Sequence, residues 1–155
     1  MLATPRRFSL TAGSGTGNTA LNAFDAALLS SGLGNVNLIR ITSILPPGAE
    51  HVEDPLIAPG SLVPTAYASI SSDRPGDLIS AAVAVGIPRD EESFGVIMET
   101  SGRYSRAEAE ATVTRKIQEA FSMRGMELKE TMVRAVELRV DSGHTCAFAG
   151  VALWA

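Results

Sequence analysis

Asn37-Leu38-Ile39-Arg40-Ile41-Thr42-Ser43-Ile44-Leu45-Pro46-Pro47-Gly48 sets the layout of this chain. It begins as a strand: Leu38, Ile39 and Ile41 are apolar, and Ile39, Ile41 and Thr42 are β-branched. Side chains alternate along a strand, so Asn37, Ile39, Ile41 and Ser43 share one face. Pro46 and Pro47 then remove two amide donors and hold the chain extended. Between strand and prolines stands a hydroxyl pair, Thr42-Ser43.

Upstream, residues 8–12 read as a short strand entering a glycine-rich turn, Gly13-Ser14-Gly15-Thr16-Gly17. A phosphate-binding loop would need Gly-Lys-Ser/Thr here, and a dinucleotide fingerprint would need glycine where Asn18 stands. A tight turn is the reading that survives. Asn18 or Thr19 can cap a helix to about Ser31, with Leu21, Phe24 and Leu28 as its apolar stripe and Gly32 as its stop. Asp25 lies four residues after Leu21 and three before Leu28, at the border of that stripe. It reads either as an exposed edge carboxylate or as a partly buried anion awaiting a cation.

Downstream, Pro55, Pro59 and Gly60 mark an irregular loop. Residues 62–71 and 78–87 read as two strands, and the turn Ser72-Asp73-Arg74-Pro75-Gly76-Asp77 suggests that they pair as neighbours. Residues 94–100 form another strand, on which Glu99 shares a face with Gly95 and Ile97. That carboxylate is either a solvated strand end or an acid in a partly apolar cleft, where desolvation would keep it protonated. Ser105-Arg106-Ala107-Glu108 is a capping box opening a helix to about Met123, with Gly125 beyond it. The charges on that helix, Lys116 among them, read as a solvated face. Residues 131–140 and 146–154 read as an antiparallel pair around Asp141-Ser142-Gly143. Seven strands in near succession and two long helices favour antiparallel sheets with helices outside them, an α+β layered sandwich.

The chain has 155 residues, 45% of them hydrophobic, which suits one domain with a substantial core. A net charge of −4, a pI near 5.2 and no basic run argue against nucleic acid as a partner. The single cysteine, Cys146, excludes an intrachain disulfide and fits a reducing compartment. No signal peptide or membrane-length apolar run stands out, so a cytoplasmic location is expected. His51, His144 and Cys146 are too few and too scattered to make a metal site from spacing. There is no Gly-x-Ser-x-Gly elbow and no flavin, nicotinamide or pyridoxal phosphate motif; the lysines are Lys116 and Lys129.

The hydroxyl pair offers a different chemistry. A serine hydroxyl can attack the carbonyl of the preceding peptide bond through a five-membered ring, turning amide into ester. Loss of the serine α-proton then expels that ester and leaves dehydroalanine, which hydrolyses to ammonia and a pyruvoyl cap. Ser30-Ser31 and Ser71-Ser72 show that such pairs are common, so the pair alone decides nothing.

Its surroundings are more specific. Gly13-Ser14-Gly15-Thr16-Gly17, Leu21-Asn22-Ala23-Phe24-Asp25, Gly34-Asn35-Val36-Asn37-Leu38, Ile41-Thr42-Ser43-Ile44-Leu45-Pro46-Pro47 and Gly95-Val96-Ile97-Met98-Glu99 together resemble the pyruvoyl-dependent arginine decarboxylase family. The likeness spans nearly the whole chain, in order. It implies an αββα sandwich assembled as trimers, with active sites between subunits. It implies cleavage between Thr42 and Ser43 into a β chain of residues 1–42 and an α chain of residues 43–155, with Ser43 becoming the pyruvoyl group. Glu99 matches the family's proton donor, Asp25 its guanidinium-binding acid and Asn37 an asparagine that supports cleavage. The family commonly has serine before the scissile bond, where this chain has Thr42; the attacking hydroxyl is still that of Ser43. The implied reaction takes L-arginine to agmatine and CO2 through a Schiff base on the pyruvoyl group. Alternatives are a pyruvoyl decarboxylase for histidine or ornithine, and an unprocessed, non-catalytic trimer. One geometric point stands out: six residues of strand separate Asn37 from Ser43 by roughly 20 Å. A bend or a neighbouring subunit must unite them.

Overall fold

The computed structural model describes residues 2–155. In chain order the elements are β1 (Arg7–Gly17), α1 (Ala20–Ser31), β2 (Asn37–Arg40), β3 (Ile44–Leu45), β4 (Glu50–His51), β5 (Leu62–Ser72), β6 (Leu78–Pro88), β7 (Gly95–Gly102), α2 (Arg106–Met123), β8 (Leu128–Arg139) and β9 (His144–Trp154). They form two sheets, one in the order β2-β5-β9-β1-β4 and the other β3-β7-β6-β8. Ladders are antiparallel except β1 with β4 and β2 with β5.

Three apolar layers explain the stacking. Between the sheets lie Phe8, Leu10, Ile79, Val83, Val85, Ile97, Val151 and Leu153, all buried. Ala82, Ala84 and Val96 on the far side of the smaller sheet meet Val113, Ile117 and Phe121 of α2. Cys146, Phe148 and Ala152 on the far side of the larger sheet meet Ala23, Ala27 and Leu28 of α1. The order is α1, five-stranded sheet, four-stranded sheet, α2: the αββα sandwich expected from the sequence. β6 and β9 are buried along almost their whole length because each is central in its sheet and covered on both faces.

The helix ends follow the sequence. Thr19 Oγ1 accepts from the Asn22 amide at 3.1 Å, and Gly32 closes α1 in the left-handed region at φ 89°. Ser105 Oγ accepts from the Glu108 amide at 3.2 Å at the start of α2.

Four expectations are corrected. Residues 13–17 are not a turn: they continue β1, paired with β9 as far as Gly17↔His144. Their glycines serve close approach. A Cβ at Gly13 would collide with the Ala27 carbonyl oxygen, and one at Gly15 with the Ala27 amide. The second correction follows, because α1 lies so near the strand that Ala23 and Ala27 are buried beside Leu28; of the expected stripe Leu28 is buried and Phe24 packs against it, while Leu21 is 75% exposed. Third, β5 and β6 are not paired neighbours. Both edges of β5 are taken, by β2 and β9, so residues 73–77 carry the chain to the other sheet. Fourth, β8 and β9 are likewise split between sheets, with residues 141–143 as the crossing. The short β3 and β4 carry no sequence signal of their own, and the strand that the pattern predicts over residues 36–42 ends at Arg40.

The glycine-lined approach predicts that Gly15→Val destabilises the protein by about 3 kcal/mol, since backbone atoms must move to admit the side chain. Urea denaturation of the variant beside Ser14→Val, a neighbour on the opposite face, measures the difference.

Candidate active site

The chain changes sheets at the hydroxyl pair. The Ile41 amide donates to the Thr65 carbonyl at 3.1 Å, fixing that residue to the five-stranded sheet. Two residues later the Ser43 carbonyl accepts from the Ile97 amide at 2.7 Å, at the start of the four-stranded sheet. The β3–β7 register, Ile44↔Val96, makes Ser43 and Ile97 the next opposed pair. In an antiparallel ladder such a pair exchanges both hydrogen bonds. Here only one is made. The Thr42 carbonyl and the Ser43 amide have no backbone partner among the described residues. The Thr42–Ser43 peptide therefore spans the edge of the sandwich outside both ladders.

A cleft of about 460 Å³ opens beside it, lined by Arg40, Ile41, Thr42, Ser43, Ile97, Met98 and Glu99. Thr42 is exposed; Ser43 and Glu99 are half-buried. Glu99 reaches the cleft because it follows Ile97 by two on β7 and so keeps the face turned between the sheets. Burial pushes its carboxyl above the ordinary glutamate range, against the opposing pull of Arg40 and then Lys116. Of the two sequence readings of Glu99, the acid in a partly apolar cleft is the one observed.

The chain brings Thr42, Ser43 and Glu99 together. It does not bring Asp25 or Asn37 to them. Asp25 is exposed on α1, and neither residue lines this cleft. Asn37, exposed at the start of β2, donates from Nδ2 to the Gly60 carbonyl at 3.1 Å. Arg40, the one charged residue between Asn37 and Gly48, also lines the cleft, and its lone charge within an apolar strand is the sequence signal that marks it. Its guanidinium lies 4.4 Å from the Tyr67 ring centroid and donates to the Tyr67 carbonyl at 2.9 Å. His51 packs against Phe8 with ring centroids 5.3 Å apart and planes tilted by 47°, and Cys146 is buried. No group of three or more His, Cys, Asp or Glu is placed to hold a metal among the described residues. No helix among them is long and apolar enough to cross a membrane.

The cleft thus sets a serine at an unladdered peptide beside a half-buried acid. Comparison with known proteins specifies its kind. The family described as pyruvoyl-dependent arginine decarboxylase matches residues 7–154. A pyruvoyl-dependent arginine decarboxylase of Methanocaldococcus jannaschii is 54% identical over 150 residues, covering 97% of this chain and 90% of that protein. Counterparts from Methanococcus aeolicus and Thermococcus kodakarensis are 51% and 43% identical, each over 97% of this chain and over 90% and 96% of their own lengths. The chain belongs to the pyruvoyl-dependent arginine decarboxylase family. Among solved structures, a pyruvoyl-dependent histidine decarboxylase aligns with a TM-score of 0.50 at 15% identity, over 64% of this chain and 52% of that one, a likeness of fold.

The carboxyl of Glu99 should titrate above the ordinary glutamate range, followed by carbon NMR with labelled glutamate. Arg40→Gln should move the midpoint higher still, because it removes a cation that favours the carboxylate. A midpoint that falls, or stays put, would contradict the assigned cause.

Proposed function

We propose that this chain is a self-processing enzyme that converts L-arginine to agmatine and CO2 with a pyruvoyl group made from its own Ser43. The observation that carries this reading is the Thr42–Ser43 peptide, free of both ladders and facing a desolvated Glu99. The residues present fit that group. Ser43 supplies the hydroxyl, and the Thr42 carbonyl has no backbone donor to displace before attack.

In processing, Ser43 Oγ attacks the Thr42 carbonyl and the amide nitrogen leaves, giving an ester. Removal of the Ser43 α-proton breaks the bond from Cβ to the ester oxygen and releases Thr42 as a carboxylate. The remaining dehydroalanine takes up water and loses ammonia. The products are a β chain of residues 1–42 and an α chain of residues 43–155. The fold accounts for their staying together: β1 is held between β9 and β4, and β2 lies along β5, so the shorter piece is built into a sheet made mostly by the longer one.

Once formed, the pyruvoyl group supplies a ketone for the substrate amine and an electron sink for decarboxylation, chemistry that other enzymes draw from a bound cofactor. The protein's part is to place the substrate and move one proton. Glu99, whose carboxyl burial pushes above the ordinary glutamate range, delivers a proton to the substrate α-carbon. Asp25 pairs with the guanidinium through a two-pronged contact and so selects arginine. Asn37 assists cleavage. The position of Asp25 and Asn37 outside the cleft of their own chain supports a complete site assembled across subunits of a homotrimer. The enzyme works on a small-molecule substrate, a free amino acid, in the cytoplasm, without nucleic acid or membrane.

Intact mass of the denatured protein tests the scheme. Wild type is expected to split between Thr42 and Ser43, the larger fragment carrying a pyruvoyl cap, while both fragments co-elute on a native sizing column. Ser43→Ala should remain one uncut chain without activity; cleavage of that variant would sink the proposal. Glu99→Gln should cut normally yet release CO2 from arginine about a hundredfold more slowly. Asp25→Asn should raise KM for arginine at least tenfold, as loss of a charged pairing group requires, and leave cleavage intact. A panel of arginine, ornithine and histidine then fixes the substrate.

A further inference from the structure

β7 loses its neighbour where the proposed acid stands. β3 is two residues long, and beyond Ser43 the chain is already bound to the other sheet. The Ile97 amide points toward β3, so by the alternation of an antiparallel ladder the peptide groups of Glu99 point the same way. They meet no strand. The Glu99 carbonyl is thus an acceptor on an open sheet edge beside the cleft.

Lys116 of α2 fills that position. Its Nζ donates to the Glu99 carbonyl oxygen at 2.9 Å. Glu119 stands three residues along the same helix, a spacing that permits an ion pair. Even so, Lys116 takes part in no ion pair among the described residues. The helix delivering it is fixed by Val113, Ile117 and Phe121, all buried against the sheet. The charged groups facing Glu99 are Arg40 from β2 and Lys116 from α2. Arg40 is engaged with Tyr67, whereas Lys116 touches the Glu99 residue itself.

We propose that Lys116 is a positioning residue for decarboxylation: it clamps the open edge of β7 at Glu99 and holds a positive charge beside the proton donor. The inference rests on the reading of Glu99 given above. Without Lys116, the segment bearing the acid loses its edge contact. The carboxyl also keeps its proton to higher pH and is a poorer donor.

Lys116→Met and Lys116→Arg, purified as full chains, test this. Lys116 is exposed, so both variants are expected to fold and to complete self-cleavage. The Met variant should show a kcat about tenfold lower with KM for arginine within about twofold of wild type. The alkaline limb of its kcat profile should move to higher pH, because a cation favouring the carboxylate is gone. The Arg variant, keeping charge and donors, should restore both. A Met variant with wild-type kcat, a rise in KM alone, or a lower kcat with an unmoved alkaline limb would each overturn the role. If wild type itself neither cleaves nor releases CO2 from arginine, the underlying reading fails instead, and that is visible before any variant is made.

Discussion

The 2.7 Å hydrogen bond from the Ile97 amide to the Ser43 carbonyl is the contact on which the site depends. It fixes Ser43 to one sheet, two residues after Ile41 has been fixed to the other. Packed sheets lie about 10 Å apart, and two peptide links span at most about 7 Å. A chain crossing in that distance must do so at the edge, nearly extended, and it has no neighbouring strand to satisfy the peptides in between. The missing ladder bonds of Thr42 and Ser43 follow from the crossing itself. They leave a carbonyl open to attack while both flanking residues are held in place.

The same layering bears on the proposed cut between Thr42 and Ser43. α1 lies against a strand whose alternate residues are Gly13, Gly15 and Gly17, so helix and strand backbones approach more closely than side chains would allow. β1 is internal to its sheet, with an eleven-residue strand, β9, along one edge. An N-terminal segment built in this way is held by many backbone hydrogen bonds and by the apolar layer beneath α1. The covalent link at residues 42–43 is not what keeps it there.

Electrostatics at the cleft is a balance between burial and two cations. Burial is the larger influence and favours the protonated acid; Arg40 and Lys116 oppose it from different layers of the sandwich. Burial that favours the acid and cations that favour the carboxylate are the opposing influences on which the proposed proton-donor role of Glu99 rests.

Much of this was legible in the residues. The caps at Thr19 and Ser105, the stop at Gly32, the strand nature of residues 62–71, 78–87 and 94–100, and the words surrounding Thr42-Ser43 are local features, written in neighbouring side chains. What the sequence could not settle was which strands meet. The turns at residues 73–77 and 141–143 are good hairpin turns by composition, yet each joins strands in different sheets: β5 lies between β2 and β9, β6 between β7 and β8, and β9 between β5 and β1. Glycines 13, 15 and 17 read as a turn because their reason for being small, the backbone of α1, comes from further along the chain. Glu99 had two readings until the fold turned its face inward, and Lys116 looked like part of a solvated surface until β3 proved too short to cover the Glu99 carbonyl. By itself the sequence determined the two helices with their caps, the stretches of most longer strands and the hydroxyl pair; pairing, burial and the company of each charge were decided by tertiary structure, since they depend on contacts between residues distant in the chain.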